Sequence, residues 1–290
     1  MTSTPAMPIT SRRTSQKSPC QVQWNNMDPR LQTVIEYMKS HWPSQVKDEW
    51  QVKIEDYPAI VKKVVALWTK DATTGHELVR IAGLSGSGKT TQLLPAVENY
   101  FKERGKQPVL VAARRFVEFH PFVKEIEATY GSENLRKMTD EFSTIMMFLT
   151  LSALIEQGYD IILDVTLLDP KIEGALMQML ATKSYQTWLT MIAVSPEITE
   201  KFLGARAWRH SKATEEEFIR ATTAALNFYH DNFPETRIVL WNVWDLEPIY
   251  DGKIKDAIAV FEKYSHITNF TPEAAEEALR SAKIAYLNKK

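Results

Sequence analysis

A single cysteine, Cys20, stands in 290 residues. An intramolecular disulfide and a cysteine-built zinc site are therefore excluded, and the chain suits a reducing compartment. An excess of charge is also lacking: 35 Lys and Arg face 36 Asp and Glu, a net charge of −1. Nothing global points to nucleic acid or to a membrane surface. No run approaches the ~18 apolar residues of a membrane span, and the N-terminus has no apolar core of a secretory signal. The expected location is the cytoplasm, with export as an effector the alternative. Acidic residues are missing altogether from 1–26, a Ser-, Thr- and Pro-rich stretch carrying Arg12, Arg13 and Lys17. It has no periodicity and reads as a disordered tail.

Glycine is scarce too, ten in the chain, yet three fall in Gly83-Leu84-Ser85-Gly86-Ser87-Gly88-Lys89-Thr90. This is G-x-x-x-x-G-K-[ST] with every required position filled. The apolar run 78–82 precedes it and the helix-like Thr91-Gln92-Leu93-Leu94 follows. A strand feeding such a loop and then a helix cradles a polyphosphate on backbone N–H groups. The candidate nucleotide contacts are Gly83, Ser85, Gly86, Ser87, Gly88, Lys89, Thr90 and Thr91. Lys89 would reach the β- and γ-phosphates, and Thr90 would place its hydroxyl on Mg²⁺.

Residues 27–75 read as a helical extension, with helices over 28–42, near 45–54 and over 58–70. From residue 77 strands and helices alternate, which predicts an α/β fold with a parallel sheet of about five strands and helices on both faces. The strands are expected at 77–82, 109–113, 159–164, 188–194 and 237–241. The helices are expected to about Arg104 with a kink at Pro95, then near 121–130, 133–157, 170–182, 196–209, 214–231, 253–264 and 271–287. A kinase domain over 76–290 follows, of the P-loop class.

In open parallel sheets ligands bind beyond the carboxyl ends of the strands. Three such ends besides the P-loop hold reactive residues. Arg114 to Pro121 follows the second strand. Asp164-Val165-Thr166 ends the third like a Walker B strand, whose carboxylate serves a metal or the substrate; the plain alternative is a turn or cap residue. Arg206, Arg209, His210 and Lys212 follow the fourth, where cations would neutralise charge on a transferred phosphoryl group or merely complement a helix dipole. No N-K-x-D base-reading motif follows the P-loop, which favours ATP and a small-molecule kinase over a GTPase switch.

Phe116-x-x-x-His120-Pro121, Ile126, Tyr130-Gly131, Glu156 to Thr166, Ala193 to Glu197, Arg206 and Lys212-Ala213-Thr214 together resemble the zeta-toxin family of bacterial P-loop kinases. The resemblance covers roughly 77–230. It implies ATP-dependent phosphorylation of UDP-N-acetylglucosamine, with Mg²⁺, and restraint by a small helical antitoxin. Lys89 matches the family's P-loop lysine, Asp164 stands where the family has a glutamate, Arg206 matches a phosphate-binding arginine, and Lys212 falls where a second arginine is usual. Arg209 joins the nucleotide-site residues, and His120 and Thr166 the substrate-site residues.

Two further positions depart from the family. Arg114 stands where it has the aspartate that acts as general base, and Val117 replaces an arginine. An arginine is too basic to accept a proton at neutral pH. Glu118 or Asp164 is then the candidate base, and Arg114 favours a more anionic nucleotide substrate. The alternative is a degenerate kinase that binds nucleotide and acts as an interaction module; a kinase for nucleic-acid ends or antibiotics is a third reading. The helices of 27–75 either pack as ordinary structure or restrain the nucleotide site in cis.

Overall fold

A computed structural model describes residues 32, 35–37, 39–40, 43–83, 87–165, 167, 170–194, 212–242 and 248–265, with side chains of 212–218 excluded. Five parallel strands, β1 (Glu77–Ala82), β2 (Val109–Ala112), β3 (Ile161–Asp164), β4 (Gln186–Ile192) and β5 (Arg237–Trp241), lie in the order β2-β3-β1-β4-β5. A sixth, β6 (Pro248–Lys253), runs antiparallel on the β5 edge. The sequence reading had no strand there, because Pro248 and Asp251-Gly252 read as turn residues; at a sheet edge a strand tolerates both.

β1 shows why the sheet is covered on both faces. Alternate residues of a strand point to opposite sides. Leu78 and Ala82 enter the large core cluster, while Val79 and Ile81 enter a second one with Leu93, Leu94, Val97 and Phe101. The helix of the second face, α2 (Leu94–Lys102), follows the P-loop through a π-helical turn, Lys89–Leu93. Leu94 N–H donates to Lys89 O, five residues back, and Pro95 sits in the first turn of α2, where its missing N–H costs least. The expected irregularity at Pro95 is thus a widened turn just before it.

The large cluster is built on α5 (Asp140–Glu156), whose Ile145, Met146, Met147, Leu149 and Leu154 are almost fully enclosed. α1 (Tyr57–Trp68) adds Tyr57, Val61 and Val64 to the same cluster, and its Trp68 ring packs on Phe116 at 4.8 Å. α1 is preceded by two 3₁₀ turns, Asp48–Trp50 and Ile54–Asp56, where the sequence suggested one helix near 45–54. Between β2 and β3 the chain makes a 3₁₀ segment (Ala113–Phe119), α3 (Val123–Tyr130), α4 (Ser132–Met138) and α5. The single helix expected over 133–157 is broken at Thr139, whose hydroxyl donates to Leu135 O at 2.9 Å and competes with the helix ladder. α6 (Pro170–Thr182), α7 (Lys212–Asn232) and α8 (Ile254–Ser265) complete the described elements. Helices suggested near 196–209 and 271–287 lie outside the described residues, as does most of 28–42. No single described helix is long and apolar enough to cross a membrane.

Candidate nucleotide and phosphoryl-transfer site

The P-loop leaves the carboxyl end of β1 at the middle of the sheet, with β3 and β4 on either side. Gly83 and Gly88 have φ of 135° and 97°, a region costly for any side chain. At Gly88 the backbone angle alone makes the demand, since a Cβ there would make only ordinary contact, 3.5 Å from the Ile192 side chain. Gly88 O accepts from the N–H groups of Thr91 and Gln92 at 3.0 and 2.8 Å, which starts the helix. Ser87 is fully buried, and its hydroxyl has no partner among the described residues. Thr90 and Thr91 are exposed at the helix start.

Lys89 curls back over the loop and donates to Gly83 O at 2.6 Å. Part of its surface stays open, yet its ammonium is crowded enough that desolvation lowers its pKa to about 8, with Arg114 and Arg136 adding to the fall and Asp164 opposing it. A depressed lysine pKa penalises the folded state below pH 8, and the penalty fades as pH rises from 8 towards 10.5. Phosphates favour the protonated amine. Above about pH 8, nucleotide binding should take up close to one proton, and affinity should fall by up to about tenfold per pH unit. Calorimetry at pH 9 in buffers of different ionisation enthalpy reads this directly; zero uptake would separate Lys89 from the phosphates.

Asp164 ends β3 in register with Ile81 of β1 and Ala112 of β2. Its side chain is 4% exposed. Arg114, two residues beyond β2, donates from Nη1 to Asp164 Oδ2 at 2.5 Å. The sequence left these two residues in separate roles; the parallel pairing of β2 with β3 brings them together. Arg136, on α4, is the further cation within electrostatic reach of Lys89. No motif marks it, and only the fold of the β2–β3 insertion carries it there.

Two further expected site residues, Glu118 and His120, make contacts of their own. In the 3₁₀ segment residues three apart align, so Glu118 falls on the side of Arg115, whose charge it offsets. Arg115 donates to Leu110 O and lies over Trp68 at 4.1 Å. His120 is buried, with its ring edge-on to Phe142 at 4.6 Å and Nδ1 accepting from Phe122 N–H at 3.2 Å. Burial lowers its pKa to about 4, so it is neutral. With Tyr57, Ser44, Val46, Gln51 and Glu141 it walls a small cavity beneath the N-terminal segment. Ser85, Gly86, Thr166, Arg206 and Arg209 lie outside the described residues; Lys212 opens α7, with its side chain undescribed.

The metal expected with ATP was assigned to Thr90 and Asp164. The exposed Thr90 hydroxyl fits that use; the Asp164 carboxylate does not, because a guanidinium holds it. No group of three or more His, Cys, Asp or Glu able to hold a metal occurs among the described residues.

A central β1, a glycine-rich turn into a helix, a lysine folded over the turn and a carboxylate at the end of the adjacent strand define a P-loop kinase fold. The zeta toxin family model matches residues 69–241. The chain belongs to the zeta toxin family. It is 26% identical over 155 residues to Toxin PezT of Streptococcus pneumoniae serotype 4, an alignment spanning 51% of this chain and 59% of that toxin. A chain from the PezAT chromosomal toxin–antitoxin system of Streptococcus pneumoniae superposes with a TM-score of 0.64 at 20% identity, covering 84% of this chain and 98% of its own. A chain of the AvrRxo1-ORF1:-ORF2 complex gives 0.50 at 13% identity, over 80% and 85% of the two chains. At these identities the two structures bear on fold alone.

Proposed function

We propose that this protein is an ATP-dependent phosphotransferase acting on a hydroxyl of a nucleotide-linked small molecule, with UDP-N-acetylglucosamine the first acceptor to try. The observation that carries the reading is Lys89, lodged over the P-loop and flanked by the Arg114–Asp164 pair at the carboxyl ends of β1, β2 and β3. The acceptor hydroxyl oxygen would attack the γ-phosphorus as the bond from phosphorus to the β–γ bridging oxygen breaks, with ADP leaving and the hydroxyl proton passing to water or to a carboxylate such as Asp164. Such a transition state is loose, and catalysis rests on position and charge. The loop's N–H groups and Lys89 position the phosphates; Arg114 and Arg136 add positive charge from the β2–β3 insertion, with Arg206, Arg209 and Lys212 assigned the same task from the family pattern. A Mg²⁺ carried in with ATP would find the Thr90 hydroxyl. The donor side follows from the P-loop, whereas the acceptor is inferred from family membership.

The PezAT neighbour comes from a toxin–antitoxin system, which supports a small helical antitoxin as partner. Cis-inhibition by the N-terminal helices is the weaker idea for α1, because Tyr57, Val61 and Val64 are part of the main core. A cytoplasmic site of action accompanies this reading. The degenerate-kinase alternative is favoured by one observation, the guanidinium on Asp164. Purified protein incubated with ATP labelled at the γ-position and UDP-N-acetylglucosamine separates the two. Labelled sugar nucleotide supports the kinase and its family acceptor; nucleotide binding without transfer to this or any other acceptor supports the degenerate reading.

A further inference from the structure

We infer that Arg114 does at Asp164 what a divalent cation would otherwise do, so that this P-loop takes up nucleotide without a metal. The inference rests on the proposed nucleotide site and adds its metal requirement. A carboxylate 4% exposed needs a counter-charge, because burial of an unpaired ion is costly. Arg114 supplies it at 2.5 Å, in a charge-assisted hydrogen bond.

The position is built rather than incidental. Phe116 is fully buried under Trp68, and Arg115 is held by Leu110 O and the Trp68 face. The 3₁₀ segment is therefore pinned immediately after the residue that presents its guanidinium to Asp164. A guanidinium has five N–H donors. One of Arg114's is on Asp164, the others make no hydrogen bond among the described residues, and 39% of the side-chain surface is open. Those donors suit phosphate oxygens in the geometry arginine favours.

Magnesium is at a disadvantage at the same carboxylate. It demands near-octahedral coordination and gives up its waters reluctantly, and here it must also displace a cation tied to the chain. The charge it would bring is already in place, because Arg114 and Arg136 each lie within electrostatic reach of Lys89. Polyphosphate oxygens would then be neutralised by side chains.

Titration calorimetry of the full chain with ATP, in magnesium chloride and in EDTA, tests this. The expected dissociation constants for the unaltered protein differ by less than about threefold. Arg114→Ala should weaken binding in EDTA by at least about tenfold, with a smaller loss in magnesium as Asp164 opens to the metal. Asp164→Asn, nearly isosteric, removes the carboxylate a metal would use and should leave the ratio of the two dissociation constants below about threefold. Thermal unfolding checks that the variants fold, and the comparison on the unaltered protein stands without them. Loss of more than about tenfold in EDTA by the unaltered protein, or an Arg114→Ala protein as metal-independent as its parent, overturns the inference. No ATP binding in either buffer would instead overturn the nucleotide site itself.

Discussion

Lys89→Ala is expected to lower phosphoryl transfer by about a thousandfold or more, in the range seen when a preorganised charge at the reacting centre is removed. The same protein should melt at pH 7 no earlier than its parent. The two outcomes share one cause. Lys89 is held against Gly83 O, and desolvation is the largest influence on its ammonium. Asp164 opposes the resulting fall in pKa, Arg114 and Arg136 add to it, and even with the hydrogen bond to Gly83 O the balance leaves the pKa lowered to about 8. Such a group costs stability while the site is empty and returns it when phosphate arrives. Alanine removes the charge that meets the phosphates and, with it, the penalty at pH 7. Loss of activity accompanied by a large fall in melting temperature would mean that Lys89 is a structural residue.

Glu173→Ala should destabilise the fold by about 3–5 kcal/mol, the usual cost of stranding one partner of a buried ion pair. For a chain of this size that lowers the melting temperature by about 10 °C. Arg80, in the middle of β1, is 3% exposed and Glu173, on α6, is wholly buried. Both guanidinium Nη atoms donate to the carboxylate, Nη2 to Oε1 at 2.8 Å. Tyr229 of α7 adds its hydroxyl to Glu173 Oε2 at 3.0 Å, and burial together with the Glu173 charge raises its pKa. The network ties β1 to two helices three residues before the P-loop begins, so its loss should also weaken nucleotide binding. Tyr229→Phe removes one donor and should cost about 1 kcal/mol. Replacing both charges by apolar residues of similar volume, Arg80→Met with Glu173→Leu, should recover most of the loss. If Glu173→Ala unfolds at the parental temperature, the pair contributes nothing and Arg80 must find other support.

Much of the architecture was legible because it rests on local pattern. Five parallel strands announced themselves as apolar runs between helical stretches, and the glycine-lysine turn as a motif. β6 did not, since an edge strand half open to water needs no apolar run. The break at Thr139 carried a signal that periodicity alone passes over: Arg136-Lys137 suits the end of one helix and Asp140-Glu141 the start of the next. The site was readable on the donor side and poorly readable on the other. Arg114–Asp164 spans 50 positions and Arg80–Glu173 spans 93, so neither leaves a trace in spacing. Arg80 was at least visible as a charge inside the strand Leu78-Val79-Arg80-Ile81-Ala82, which calls for a buried partner without naming it.

The measurement that bears most directly on the whole account is mass spectrometry of a metabolite extract incubated with the protein and ATP, with the Lys89→Ala protein in parallel. A species heavier by one phosphoryl group, formed by the parent and absent with the variant, is the expected result and names the acceptor. Equal product from both proteins would contradict the role given to the P-loop lysine. No product from the parent, with ATP nonetheless bound, would contradict phosphoryl transfer and leave a nucleotide-binding interaction module in its place.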